Sequence, residues 1–257
     1  MALSETYRAG LLRQETTAGV GAQLLLLVLL TAVSGLGPAG WLAGLVFTAG
    51  SWTLLARALG RSGSASFGPA NGVTLARAVL VGGVTALVAD SVVQPPPAAV
   101  LVPLAAVALV LDAVDGRVAR RTGTVSALGA RFDMEVDAFL ILVLSVHVSL
   151  SLGPWVLLTG AMRYVFGLAG GALPWLHGPL PPSTARKTVA AVQGVVLVAA
   201  GSGVLPRPVA AAAVLTALSL LLWSFTRDVA WLWRAVGRGR DVRRGAAAGR
   251  EGVRGGR

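Results

Sequence analysis

Asp112 and Asp115 stand three residues apart, and Asp133 and Asp137 four apart. At helical spacing each pair shares a face. All four fall in the stretch 111–139, which holds five of the chain's eleven acidic residues and has long apolar runs on both sides. A charge at bilayer depth costs about 2.5–3.5 kcal/mol on insertion scales, so four carboxylates do not gather beside membrane helices without a compensating cation. Oxygen ligands from two helices suit hard divalent ions such as Mg2+ or Mn2+, and these ions usually act with phosphate-bearing substrates. Gly116 and Gly129 leave room for backbone or substrate to approach closely. Arg120 carries the guanidinium that clamps a phosphate or stacks on a base. Glu135 lies between Asp133 and Asp137 but roughly 160–200° around the helix from them, so it faces elsewhere and is not read as a ligand.

The elements that must position these groups are apolar. The 257 residues are 55% hydrophobic and 13% charged, with mean hydropathy +0.74, against about 25% charged in an ordinary soluble domain. The expected fold is all-α, a polytopic membrane bundle. Eight spans are read, at about 19–36, 40–59, 69–93, 98–120, 126–150, 155–173, 188–203 and 208–233, each near the ~20 residues that cross the hydrocarbon core. Asn71, Thr74 and Arg77 share one face of the third. A polar loop precedes the seventh and carries Arg186 and Lys187; Arg163 lies inside the sixth. Residues 1–68 form an extension with two membrane helices, 69–235 a six-helix unit, and 236–257 a basic, disordered tail.

Charge fixes orientation. Arg8, Arg13, Arg57, Arg61, Arg117, Arg120, Arg121, Arg186, Lys187 and the tail fall on one side, whereas the opposite loops hold only Arg207. The positive-inside rule puts both termini and the acidic stretch in the cytoplasm. The net charge of +11 is concentrated in the tail, from Arg234 to Arg257. Without interleaved aromatics that pattern fits anionic lipid rather than nucleic acid. Only one of the 22 basic residues is Lys and cysteine is absent, which fits a GC-rich bacterial source and excludes disulfides and thiolate metal sites.

The order Asp112-x-x-Asp115-Gly116-x-x-Ala119-Arg120, eight residues, then Gly129-x-x-x-Asp133-x-x-x-Asp137 resembles the signature of the CDP-alcohol phosphatidyltransferase family at every fixed position. Asn71-x-x-Thr74-x-x-Arg77 is similar to the family's first core helix, and Arg186-Lys187 with Gln193 to a later basic stretch. The likeness covers about 69–235. It implies a di-metal site on the cytoplasmic side that takes a CDP-linked donor, usually CDP-diacylglycerol. An acceptor hydroxyl attacks the phosphorus borne by the lipid alcohol, and CMP leaves. By the resemblance Asp112, Asp115, Asp133 and Asp137 hold the metals, with Asp137 also the general base. Asn71, Thr74, Gly116, Ala119, Arg120 and Gly129 frame the donor. Arg163, Arg186 and Lys187 are candidates for a phosphate on the acceptor, although Arg186 and Lys187 also read as topology charges. A homodimer is expected by analogy.

Two other functions compete. Intramembrane prenyltransferases also use aspartate-rich motifs with Mg2+, but lack the Gly-x-x-Ala-Arg continuation and the spacer. An ion transporter needs acids spread along a path, typically with internal repeats; here they gather at one membrane face. His147 and His177 read as incidental, Asp90 as a loop charge, and Trp155, Trp175, Trp223, Trp231 and Trp233 as an interfacial belt. The acceptor alcohol is not specified by the sequence.

Overall fold

The computed structural model describes the backbone of residues 2–62, 69–92, 96–122, 127–178 and 183–254. It describes the side chains of these except 2–16, 55–62, 69–71, 115–122, 127–131, 174, 177 and 236–254. Eight α-helices follow one another: α1 (Ala2–Ser34), α2 (Pro38–Ser62), α3 (Pro69–Asp90), α4 (Ala98–Thr122), α5 (Ala127–Leu152), α6 (Leu157–Ala172), α7 (Thr184–Gly201) and α8 (Arg207–Arg254). No strand occurs among the described residues. With its backbone polar groups satisfied inside each helix, such a chain is suited to a bilayer.

Among the described residues four stretches are long and apolar enough to cross a membrane, Thr17–Ser34, Gly72–Asp90, Phe132–Leu152 and Arg207–Ala235, with a shorter apolar helix at Ala98–Val114. The eight expected spans correspond one for one to the eight helices. α6 has 16 residues, a rise of about 24 Å, and is preceded by a 3-10 turn at Pro154–Val156. The break before that turn is backbone-driven: Gly153 sits at φ 109°, a region open to glycine, and Pro154 follows.

Boundaries differ from the expected ones most at three places. α1 begins at Ala2 rather than near residue 19. α7 begins at Thr184, so Arg186 and Lys187 lie in its first turns and not in the preceding loop. α8 continues to Arg254, past residue 235. Its Ala and Arg residues are good helix formers that carry the backbone across the glycines between them.

α3 is the centre of the bundle, packed by α1, α2, α4 and α5. Val81, Val84, Ala86 and Leu87 of α3 are buried with Leu27, Leu101, Ala105, Leu140 and Leu144. Close approach comes from small residues, as in many membrane interfaces. A Cβ on Gly44 of α2 would lie 2.7 Å from Leu27 and 3.5 Å from Ala86, and one on Gly83 of α3 would lie 2.7 Å from Leu26 and 2.9 Å from Leu104. Phe47 of α2 stacks on Phe139 of α5 with centroids 5.1 Å apart. The two N-terminal helices are thus built onto the six-helix unit.

Polar side chains tie the elements. Asp90 is not a loop charge: as the last residue of α3, its Oδ2 accepts the Gly37 N–H at 2.9 Å and fixes the turn between α1 and α2. His147 is likewise structural, its Nε2 lying 3.2 Å from the Gly201 carbonyl oxygen and linking α5 to α7. Buried Gln193 donates from Nε2 to the Ala217 carbonyl at 2.6 Å, linking α7 to α8. His177 lies outside the described side chains.

Candidate metal centre

Asp112 projects from α4, Asp133 and Asp137 from successive turns of one face of α5. Their carboxylate oxygens come within 4.8 Å of one another. The four-residue spacing puts Asp133 and Asp137 on one face of α5.

α4 and α5 touch each other only lightly. The short connection after Arg121 predicts α4 against α5 with their acidic ends together; the acidic ends do come together, while each helix packs more extensively elsewhere and α3 contacts both. Two acidic faces repel at short range, and a counter-charge between them relieves this. Arg77 of α3 supplies it. Its side chain is wholly buried. Nη1 donates to Asp112 Oδ1 at 2.8 Å, and Nη2 lies 3.1 Å from Asp137 Oδ1. Nη2 also pairs with Asp133 Oδ1 and donates to the Asp133 backbone carbonyl at 3.2 Å. Burying a guanidinium is tolerated because carboxylates from two helices surround it.

The three carboxylates themselves stay partly open, with side-chain exposures of 40% for Asp112, 29% for Asp133 and 36% for Asp137. Arg77 therefore lies beneath them and leaves one side free. Three clustered carboxylates, acceptor-only when ionised, with an open side, form a donor set that fits Mg2+ or Mn2+. Thr74, one turn before Arg77, is buried beside it on α3. The side chains of Asn71, Asp115, Gly116, Ala119, Arg120 and Gly129 lie outside the described residues; the backbone places Asp115, Gly116, Ala119 and Arg120 on α4 and Gly129 on α5, next to the cluster in sequence.

The other three candidates are held apart from the cluster's ion pairs. Arg163 Nη2 meets Glu135 Oε1 at 2.6 Å, on the face of α5 that turns away from Asp133 and Asp137. Arg186 pairs with Asp228 of α8 at 3.5 Å. Arg227 donates to Ser183 Oγ at 3.0 Å and stands 5.2 Å over the Trp223 ring. Lys187 is exposed.

Arg77 is the member of the centre that the spacing argument leaves without a role. Its signal is a lone arginine inside an otherwise apolar span, on one face with Asn71 and Thr74. At bilayer depth such a residue needs a partner.

Fold and cluster together define a helical membrane protein with a carboxylate centre fit for divalent cations. The CDP-alcohol phosphatidyltransferase family matches residues 67–237, and the chain belongs to that family. No curated protein and no solved structure matches it. Membership makes the chain an enzyme of the CDP-alcohol phosphotransferase type in phospholipid synthesis, and separates it from prenyltransferases and ion transporters. The two N-terminal helices lie outside the matched region.

Proposed function

We propose that the chain transfers a phosphatidyl group from CDP-diacylglycerol to the hydroxyl of a polar alcohol and releases CMP, at the cytoplasmic face of a bacterial plasma membrane, as a homodimer. The observation that carries this reading is the convergence of Asp112, Asp133 and Asp137 within 4.8 Å in a chain of this family.

Asp112, Asp115, Asp133 and Asp137 would hold two divalent ions, Mg2+ or Mn2+, which supply charge neutralisation for the pyrophosphate and the departing CMP. Asp137, one helical turn beyond Asp133 and partly exposed, takes the proton of the acceptor hydroxyl. The acceptor oxygen bonds to the phosphorus on the lipid alcohol as the bond from that phosphorus to the CMP oxygen breaks. Asn71, Thr74, Gly116, Ala119, Arg120 and Gly129 frame cytidine and pyrophosphate. Arg186 and Lys187, with Arg163, offer positive charge for a phosphorylated acceptor such as glycerol phosphate or inositol phosphate. To do so Arg163 must exchange Glu135 for the ligand.

The test is incubation of purified protein with CDP-diacylglycerol, Mn2+ or Mg2+ and a panel of alcohols, following CMP. Release with at least one acceptor, lost in Asp137→Ala while donor binding persists, is expected. No CMP with any acceptor overturns the donor assignment, and full turnover in Asp137→Ala overturns the base.

A further inference from the structure

Arg77 belongs to the centre but not to the aspartate signature. Its guanidinium engages Asp112, Asp133 and Asp137, the same carboxylates whose oxygens cluster closely enough to hold a metal ion. The side chain is completely buried on α3, so it cannot escape to water when another cation arrives. The carboxylates keep their open side. A divalent ion entering there meets ligands already shared with a fixed positive charge a few ångströms away. Like charges at that range repel strongly in a protein interior.

Resting on the reading of this cluster as the metal centre, we propose that Arg77 is a built-in competitor of the divalent cation, holding the affinity of the bare centre low so that tight binding requires the negative charge of a pyrophosphate-bearing ligand. The ligand's charge offsets the surplus that Arg77 creates. Metal and pyrophosphate then strengthen each other's binding, each by the same factor, as linkage demands. An arginine that only braced the helices would act in the opposite direction: its loss would scatter the ligands and weaken metal binding.

The full chain in detergent is titrated with Mn2+, free ion being read by electron paramagnetic resonance, with and without cytidine diphosphate. The proteins are wild type, Arg77→Gln and Arg77→Lys. Removal of the charge in Arg77→Gln should tighten Mn2+ binding without nucleotide by about tenfold or more, and shrink the gain from cytidine diphosphate. Arg77→Lys keeps the charge and should stay within about threefold of wild type. Unchanged or weaker Mn2+ binding in Arg77→Gln overturns the proposal and leaves the metal centre standing. A wild type that binds no Mn2+, with or without nucleotide, removes the metal centre and the proposal with it. Should Arg77→Gln fail to fold, wild type carrying 15N-labelled arginine is titrated with Mg2+, Arg77→Lys identifying the Arg77 signal by its absence. That signal should move with the midpoint of Mg2+-induced thermal stabilisation; a signal that stays fixed while Mg2+ stabilises the protein overturns the proposal.

Discussion

Asp133, Glu135 and Asp137 are three acids within five residues of α5, and the helix gives them different work. Asp133 and Asp137 meet Asp112 and Arg77; Glu135 turns to the opposite side and meets Arg163 at 2.6 Å. Loss of a general base typically costs about 10²–10⁴-fold in rate. CMP release should fall by that amount in Asp137→Asn, and comparably in Asp133→Asn, whose carboxylate is a proposed metal ligand. Glu135→Gln touches neither role. Its pair with Arg163 is exposed, and exposed pairs contribute at most about 1 kcal/mol, so its rate with an unphosphorylated alcohol should remain within about threefold. A Glu135→Gln rate as low as that of Asp133→Asn would place Glu135 at the centre after all. Helical spacing made this division legible in the sequence, because direction around one helix depends only on residue number. Arg77 was legible to the extent of its face and no further. Which helix a buried arginine opposes depends on packing between distant segments, and nothing in the 3.6-residue period encodes that. Asp90 and His147 escaped for the same reason, since their partners Gly37 and Gly201 lie 53 and 54 residues away.

Among the elements, α3 has the widest responsibility. It receives α1 and α2 along one side and carries Arg77 to the acids of α4 and α5 on the other. Its apolar length and its start and end were readable from Pro69, the apolar run and the polar stretch after Asp90. Its share in the centre was not, because the short connection pointed only to α4 and α5 and the charge balance alone calls for a third helix. The contact of α2 with its neighbours depends on Gly44, where a Cβ would stand 2.7 Å from Leu27 and 3.5 Å from Ala86. Gly44→Leu must therefore separate α2 from α1 and α3. Overpacking of this kind costs about 1–3 kcal/mol, seen as a lower thermal-unfolding midpoint in detergent. Ala86 lies about 13 Å along α3 from Arg77 by helical rise. CMP release below the unfolding transition should thus remain within about twofold of wild type. Gly50→Leu serves as the comparison, since nothing lies within 4 Å of a Cβ there and its midpoint should not move. Equal midpoints for the two variants would mean that the α2 contact is not a tight one.

At the scale of the whole molecule, the chemistry requires that the acidic ends of α4 and α5 face the compartment that holds CDP-linked donors. The proposed orientation takes all eight helices as crossings, an even number that returns both termini to the arginine-rich side. The helix between Lys187 and Val204 tests it directly. α7 runs from Thr184 to Gly201, a rise of about 27 Å, close to the ~30 Å of the hydrocarbon core. On the proposed topology Lys187 and Val204 mark opposite membrane faces, and both are exposed. The chain has no cysteine, so a single introduced thiol reports its own location. In intact cells expressing the protein, a membrane-impermeant maleimide should label Val204→Cys and spare Lys187→Cys until the membrane is permeabilised. The opposite pattern would put Asp112, Asp133 and Asp137 on the outer face, away from cytoplasmic nucleotides, and the proposed donor would fall although the carboxylate centre remained. Labelling of both positions in intact cells would mean that α7 does not cross.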